Sequence, residues 1–208
     1  MKTPESNHAV KSERTLLTAL LFSAPGPFIT VFAAISSRSA TQAADFLRRT
    51  AELAASSVSW LVFHKIERKK APDEVYRVRL ERIANMTVSL AMLCSGIALC
   101  VVGVLSLKSG AEGRKSILGL IVAAMGLLAN TIFSLRYRKL AGEQYSSVLA
   151  AQQRLYRAKA CVDFCVTAAL AAGVIAPEHP STKYIDALGS IAVALYLLSS
   201  GASMLKKL

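Results

Sequence analysis

Histidine is scarce in this chain, three residues in 208, and His8, His64 and His179 all fall in tails or loops. That excludes a histidine-built metal centre inside an apolar segment. Cysteine is nearly as rare. Cys94, Cys100, Cys161 and Cys165 lie inside apolar stretches, where cysteine serves as a small packing residue and not as half of a disulfide framework. Acidic residues are outnumbered, 13 against 25 lysines and arginines. Long polar segments are missing as well, and the loops are too short to hold a soluble domain. The opening MKTPESNHAVKSER is polar and leads into a long span with no clear cleavage site, so no cleavable signal peptide is expected. No span carries a nucleophile–base set or a metal-ligand motif, and the chain does not read as an enzyme.

What is abundant is apolar. Hydrophobic residues make up 53% of the chain and the mean hydropathy is +0.43, above the range of ordinary soluble domains. Several runs reach about 20 residues, enough to cross hydrocarbon at a rise of 1.5 Å per residue. The reading is an all-α, multi-pass membrane protein with the lipid bilayer as its surroundings. Six transmembrane helices are expected, over about 15–35, 40–63, 83–107, 116–135, 149–175 and 185–205. They form one domain, 15–208, behind an N-terminal tail, 1–14.

Basic residues orient the spans. One side takes the N-terminus, the second loop (Lys65 to Arg82), the fourth loop (Arg136, Arg138, Lys139) and the tail (Lys206, Lys207). It collects fifteen lysines and arginines against five on the other side. Both termini are therefore expected in the cytoplasm. The net charge of +12 then reflects basic cytoplasmic loops and not a nucleic-acid partner. Trp60, Phe63 and Tyr137 read as interfacial anchors. Ala24-Pro25-Gly26-Pro27 inside the first span predicts a kink, because proline removes a helical hydrogen bond. It reads as a packing kink, with a gating hinge as the sharper alternative.

Four charges sit in mid-span: Arg48, Glu52, Lys159 and Asp163. Each costs roughly 2.5–3.5 kcal/mol to insert, so each must be paired or functional. On a helical wheel Asp45, Arg48, Arg49 and Glu52 fall within about 100° of one another, one polar stripe on an apolar helix. In the fifth span Lys159 and Asp163 share a face, with Tyr156 one turn before. The expected topology runs the second and fifth spans in opposite directions. If they pack face to face, Arg48 meets Asp163 and Glu52 meets Lys159, since four residues rise about 6 Å on either helix.

The six-span layout with paired polar residues on the second and fifth helices resembles the cation diffusion facilitator transporters. Ser39-Ala40-Thr41-Gln42-Ala43-Ala44-Asp45 is similar to the family's stretch entering its second helix. Arg79-Leu80-Glu81 resembles its Arg-x-Glu. Asn130 and Asp186 fall where the fourth helix commonly has an asparagine and the sixth opens on an aspartate. The resemblance covers roughly residues 15–208. It implies export of zinc or another divalent cation as substrate, usually against protons, with no resident cofactor, and a homodimer in the cell membrane, the bacterial inner or plasma membrane. It also implies a four-residue His/Asp transport site, two residues from the second helix and two from the fifth at i, i+4. Those positions are Arg48, Glu52, Lys159 and Asp163, with Asp45, Arg49 and Tyr156 as polar neighbours.

The positions match and the residue types do not. Arginine has no free lone pair for a metal, zinc needs three or four N, S or O donors, and the identity of any bound metal stays open. Cys161 and Cys165 point away from the Lys159–Asp163 face. Asp73 and Glu74 in the second loop read as a solvated acidic pair. Two further departures from the family's pattern are read: no C-terminal cytoplasmic domain is expected after the sixth span, and the second loop carries Tyr76, Arg77 and Val78 where glycines and histidines are common. Two readings follow. One is a transporter-like protein with a changed substrate or a proton cycle over Asp45, Glu52 and Asp163. The other is a non-transporting relative, structural or interacting, with a salt-bridged former metal site. Small residues in the third span (Ser95, Gly96, Ala98, Gly103) and the sixth (Gly189, Ser190, Ala192, Ala194) allow close helix packing, within one chain or between two.

Overall fold

The computed structural model describes residues 4–37, 40–68, 73–109, 117–143, 146–175 and 181–207, and these are helical almost throughout, with no strand. In chain order the helices are α1 (Pro4–Ser23), α2 (Pro25–Ser37), α3 (Ala40–Arg68), α4 (Glu74–Ser109), α5 (Ile117–Glu143), α6 (Ser147–Ile175) and α7 (Ser181–Leu205).

The first apolar run is divided at Ala24. Ala24 N still donates to Leu20 O at 2.9 Å, but Pro25 and Pro27 have no amide hydrogen to continue the ladder. Beyond the break, the Thr30 hydroxyl bonds back within α2, to Gly26 O at 3.0 Å and Pro27 O at 3.2 Å.

Three stretches among the described residues are long and apolar enough to cross a membrane: His8–Phe32, Glu74–Leu105 and Leu188–Leu205. α3 and α6 are long enough, but their mid-helix charges lower their apolar character. Several helices run past the apolar cores. At 36 residues, α4 is about 54 Å long, well beyond the ~30 Å hydrocarbon layer. Asp73 starts it, its carbonyl accepting from Tyr76 N at 2.8 Å and Arg77 N at 3.1 Å. Glu74 in the first turn suits the positive end of the helix dipole.

α4 packs along α7, α5 along α6, and α3 between α2 and α4. One apolar core joins α3, α4, α6 and α7 around Val88, Met92, Leu155, Ala194 and Leu197. A second joins α1, α3, α5 and α6 around Leu16, Phe63, Phe133, Tyr137, Leu149 and Tyr156. Phe63 and Tyr137 are 6% and 1% exposed, so they are core residues and not interfacial anchors. They lie where four helices converge, which their position at the end of an apolar run does not reveal. Trp60 is partly buried, stacked on His64 with ring centroids 5.4 Å apart.

Glycines of the α4–α7 seam act within the chain. A Cβ on Gly96 would come within 2.8 Å of Leu198 Cγ and 3.2 Å of Ala194 O, and one on Gly201 within 3.0 Å of Ser89 O. Overpacking a close seam costs about 1–3 kcal/mol. Gly96→Val is therefore expected to lower the unfolding midpoint in detergent, and an unchanged midpoint would mean that α4 and α7 do not approach this closely.

Candidate functional site

α3 supplies a stripe and α6 the facing residues. Asp45, Arg48 and Glu52 are one turn apart, so their side chains stack along one face. The Asp45 carboxylate takes two bonds from Arg48, 2.7 Å from Nη2 and 3.1 Å from Nε, and one from Arg49 Nε at 2.8 Å. Arg48 Nη1 also lies 3.5 Å from Glu52 Oε1. From α6, Lys159 Nζ lies 3.5 Å from Glu52 Oε2, and Ser95 of α4 donates to Glu52 Oε1 at 3.2 Å. Arg48, Glu52 and Lys159 are 8%, 7% and 7% exposed. Glu52 is therefore the shared acceptor of two buried cations and a hydroxyl.

The network continues toward the break in the first span. Lys159 Nζ sits 4.5 Å above the Tyr156 ring, a cation–π arrangement. The Tyr156 hydroxyl donates to Ala19 O at 3.1 Å and lies 3.1 Å from Ser23 Oγ. One chain of polar contacts thus runs from Asp45 through Arg48, Glu52, Lys159 and Tyr156 to the residue before Ala24. A turn along α6, Gln152 makes a second buried tie, donating to Ser59 Oγ at 2.8 Å.

Sequence reasoning paired Arg48 with Asp163, and the structure does not. Among the described residues no ion pair joins them. Arg48 is satisfied on its own helix, because Asp45 is one turn away and needs no interhelical register. Asp163, half-buried, accepts instead from Asn130 Nδ2 of α5 at 2.6 Å. It reaches over Gly126, where a Cβ would lie 3.1 Å from Asp163 Oδ2. The Glu52–Lys159 pair is present. Ser95, Asn130 and Gln152 enter the site as partners that charge patterning alone does not mark. For Gln152 the available signal was a polar side chain one turn from Tyr156 on the face of Lys159, and for Ser95 a lone hydroxyl inside an apolar run.

Two histidines assigned to tails or loops are on helices. His8 in α1 lies 3.5 Å from Glu143 of α5, and His64 in α3 pairs with Glu13 of α1. α1 extends about three turns before its expected span and α3 more than one turn past its own, and they carry these residues with them. His179 lies outside the described residues, as does the side chain of Asp186. Glu81 of the Arg-x-Glu motif accepts from Ser147 Oγ at 2.5 Å, at the start of α6, and from Arg77 Nε at 3.2 Å. Among the described residues no disulfide forms, and no three His, Cys, Asp or Glu side chains gather as a metal-ligand group.

Counted by charge, the site holds Arg48, Arg49 and Lys159 against Asp45, Glu52 and Asp163, and sums to zero. Its chemistry is that of a closed ion-pair network. Guanidinium and ammonium offer hydrogen-bond donors but no lone pair to a metal. A family model of the cation efflux transmembrane domain matches residues 16–208. No curated protein matches the chain.

Proposed function

The chain belongs to the cation efflux family, and on that premise we propose a six-span membrane protein of the cation diffusion facilitator type whose transport centre is filled by its own cations. Arg48 and Lys159 stand where a divalent ion would bring its charge. In this reading the site acts as a lock between α3 and α6, the protein does not carry zinc or similar metals, and its role is structural or interacting. Cytoplasmic termini, a homodimer and residence in the cell membrane belong to the same reading, supported by the basic bias of the loops and by the family's habit.

The observation that carries it is Glu52, buried and shared by Arg48 and Lys159. A metal entering would have to displace both cations: Arg48 would keep Asp45, but Lys159 would be left without a carboxylate in low dielectric, which costs several kcal/mol. Calorimetry on the purified protein should give no saturable heat with zinc, manganese or iron, and flux into proteoliposomes should equal that into empty vesicles. Saturable binding that vanishes in the Glu52→Ala/Asp163→Ala variant would restore the metal-transport reading.

A second reading rests on Asp163. It lies beside the lock with the Asn130 amide as its partner and, among the described residues, no cation within ion-pair distance, so its carboxylate is not consumed by the network. A transporter of another ion, cycling protons over Asp45, Glu52 and Asp163, would use that group. It predicts flux in the same vesicles that depends on a pH gradient and is lost in Asp163→Asn.

A further inference from the structure

α6 carries the lock on one stripe and something different on another. Gln153, Arg157, Ala160, Cys161, Phe164 and Cys165 face Leu127, Thr131, Ser134, Leu135 and Arg138 of α5 across an open groove of about 790 Å³. The groove is graded from end to end. α5 and α6 are antiparallel neighbours, so Arg138 and Gln153 share one end while Leu127, Phe164 and Cys165 share the other.

The basic end is uncompensated. No carboxylate lines the groove, and among the described residues none pairs with Arg138 or Arg157. Arg157 is held in place by a neutral partner: its Nε donates to Tyr196 OH at 2.9 Å and its guanidinium lies 5.5 Å from the Tyr196 ring centroid. That leaves the Nη groups of a positioned, permanently charged fork, the geometry that suits a phosphate. The apolar lining is exposed: Leu135, one turn from Arg138, is 58% open, and Phe164 at the far end 62%. From Arg138 to Leu127 is about 16 Å along the helix, close to the hydrocarbon depth of one leaflet, half of ~30 Å.

We propose that this groove is a binding site for an anionic phospholipid, its phosphate held by Arg138 and Arg157 and one acyl chain lying along Leu127, Leu135 and Phe164. Charge decides against the other occupant. A second copy of a chain with net charge +12 is repelled by two uncompensated arginines, whereas an anionic headgroup is attracted. Hydroxyls of Thr131 and Ser134 are placed to hydrogen-bond the ester and glycerol region below the phosphate, and the Gln153 amide stands beside the headgroup at the Arg138 end.

Native mass spectrometry of the purified full chain tests this with phosphatidylglycerol and phosphatidylcholine of identical acyl chains. The protein should retain one phosphatidylglycerol per chain under conditions that strip phosphatidylcholine. Arg138→Gln/Arg157→Gln should weaken that retention at least tenfold. Arg136→Gln, which removes an exposed charge of α5 outside the groove, should leave it intact. A second measurement needs no variant: maleimide labelling of Cys161, read by peptide mapping, should be slower in phosphatidylglycerol nanodiscs than in phosphatidylcholine ones. Equal retention of the two lipids overturns the proposal, and so does a loss in Arg136→Gln as large as in the double variant. Cys161 protected equally in both lipids, in a dimer that the groove variant dissociates, would give the groove to a second copy instead.

Discussion

Glu52→Gln should be the most damaging single change in the bundle, lowering stability by about 3–5 kcal/mol. The amide keeps shape and one acceptor for Ser95, so the effect isolates charge. Lys159, 7% exposed, loses the one carboxylate within ion-pair distance among the described residues. What remains is the Tyr156 ring at 4.5 Å, a contact worth about 0.5–2 kcal/mol and too weak to hold an ammonium out of water. The helices must then part to give the ammonium water. Arg48→Met should cost less, about 1–3 kcal/mol, although arginine is the larger ion. Its loss leaves Asp45 with Arg49 and Glu52 with Lys159, so both carboxylates that Arg48 served keep a cation.

The order of these two variants is the test, read by unfolding in mixed micelles. Glu52→Gln combined with Lys159→Met should recover much of the loss, since removing both partners of a buried pair is often near neutral. A larger loss for Arg48→Met, or additive losses in the double variant, would mean that Glu52 is not the hub.

The rank order could not have been written from sequence, and the reason is geometric. Opposite helix directions and i, i+4 spacing fix which residues of α3 and α6 lie at one depth, and that was enough for Glu52 with Lys159. Depth does not fix which neighbour is nearer. Asp45 reaches Arg48 within the same helix, and Asn130 reaches Asp163 from α5, a helix outside the pair being considered. The same limit applies to Phe63 and Tyr137. Their places at the ends of apolar runs were legible, but the face that meets α1 depends on how four helices converge. The break at Ala24 was legible because it is local chemistry: two prolines lack donors whatever packs around them. His8 and His64 were misplaced because helix length was read from apolar content, while α1 starts about three turns before its apolar run and α3 continues for more than one turn past its own.

Giving the site back a donor set should give it a metal. In Arg48→His/Lys159→Asp, the four positions would offer one imidazole and three carboxylates, within the tetrahedral N/O chemistry that zinc accepts. The charge changes in the same direction. Native Arg48, Arg49 and Lys159 balance Asp45, Glu52 and Asp163, whereas the variant sets Arg49 alone against four carboxylates, and a divalent cation offsets much of that excess. Zinc should then bind with saturable heat and a Kd of about 1 μM, some 8 kcal/mol, where the native chain shows none. The metal-free variant should be less stable than the native chain, and zinc should raise its unfolding midpoint, because a ligand that binds only the folded state stabilises it. Asp163→Ala in that background should abolish binding, and Cys161→Ala should leave it unchanged, since Cys161 lines the groove on another stripe of α6. A variant that folds and yet takes no zinc would mean that α3 and α6 hold these positions too far apart for one ion. The network would then be a structural lock in its own right and not a metal site closed by two substitutions.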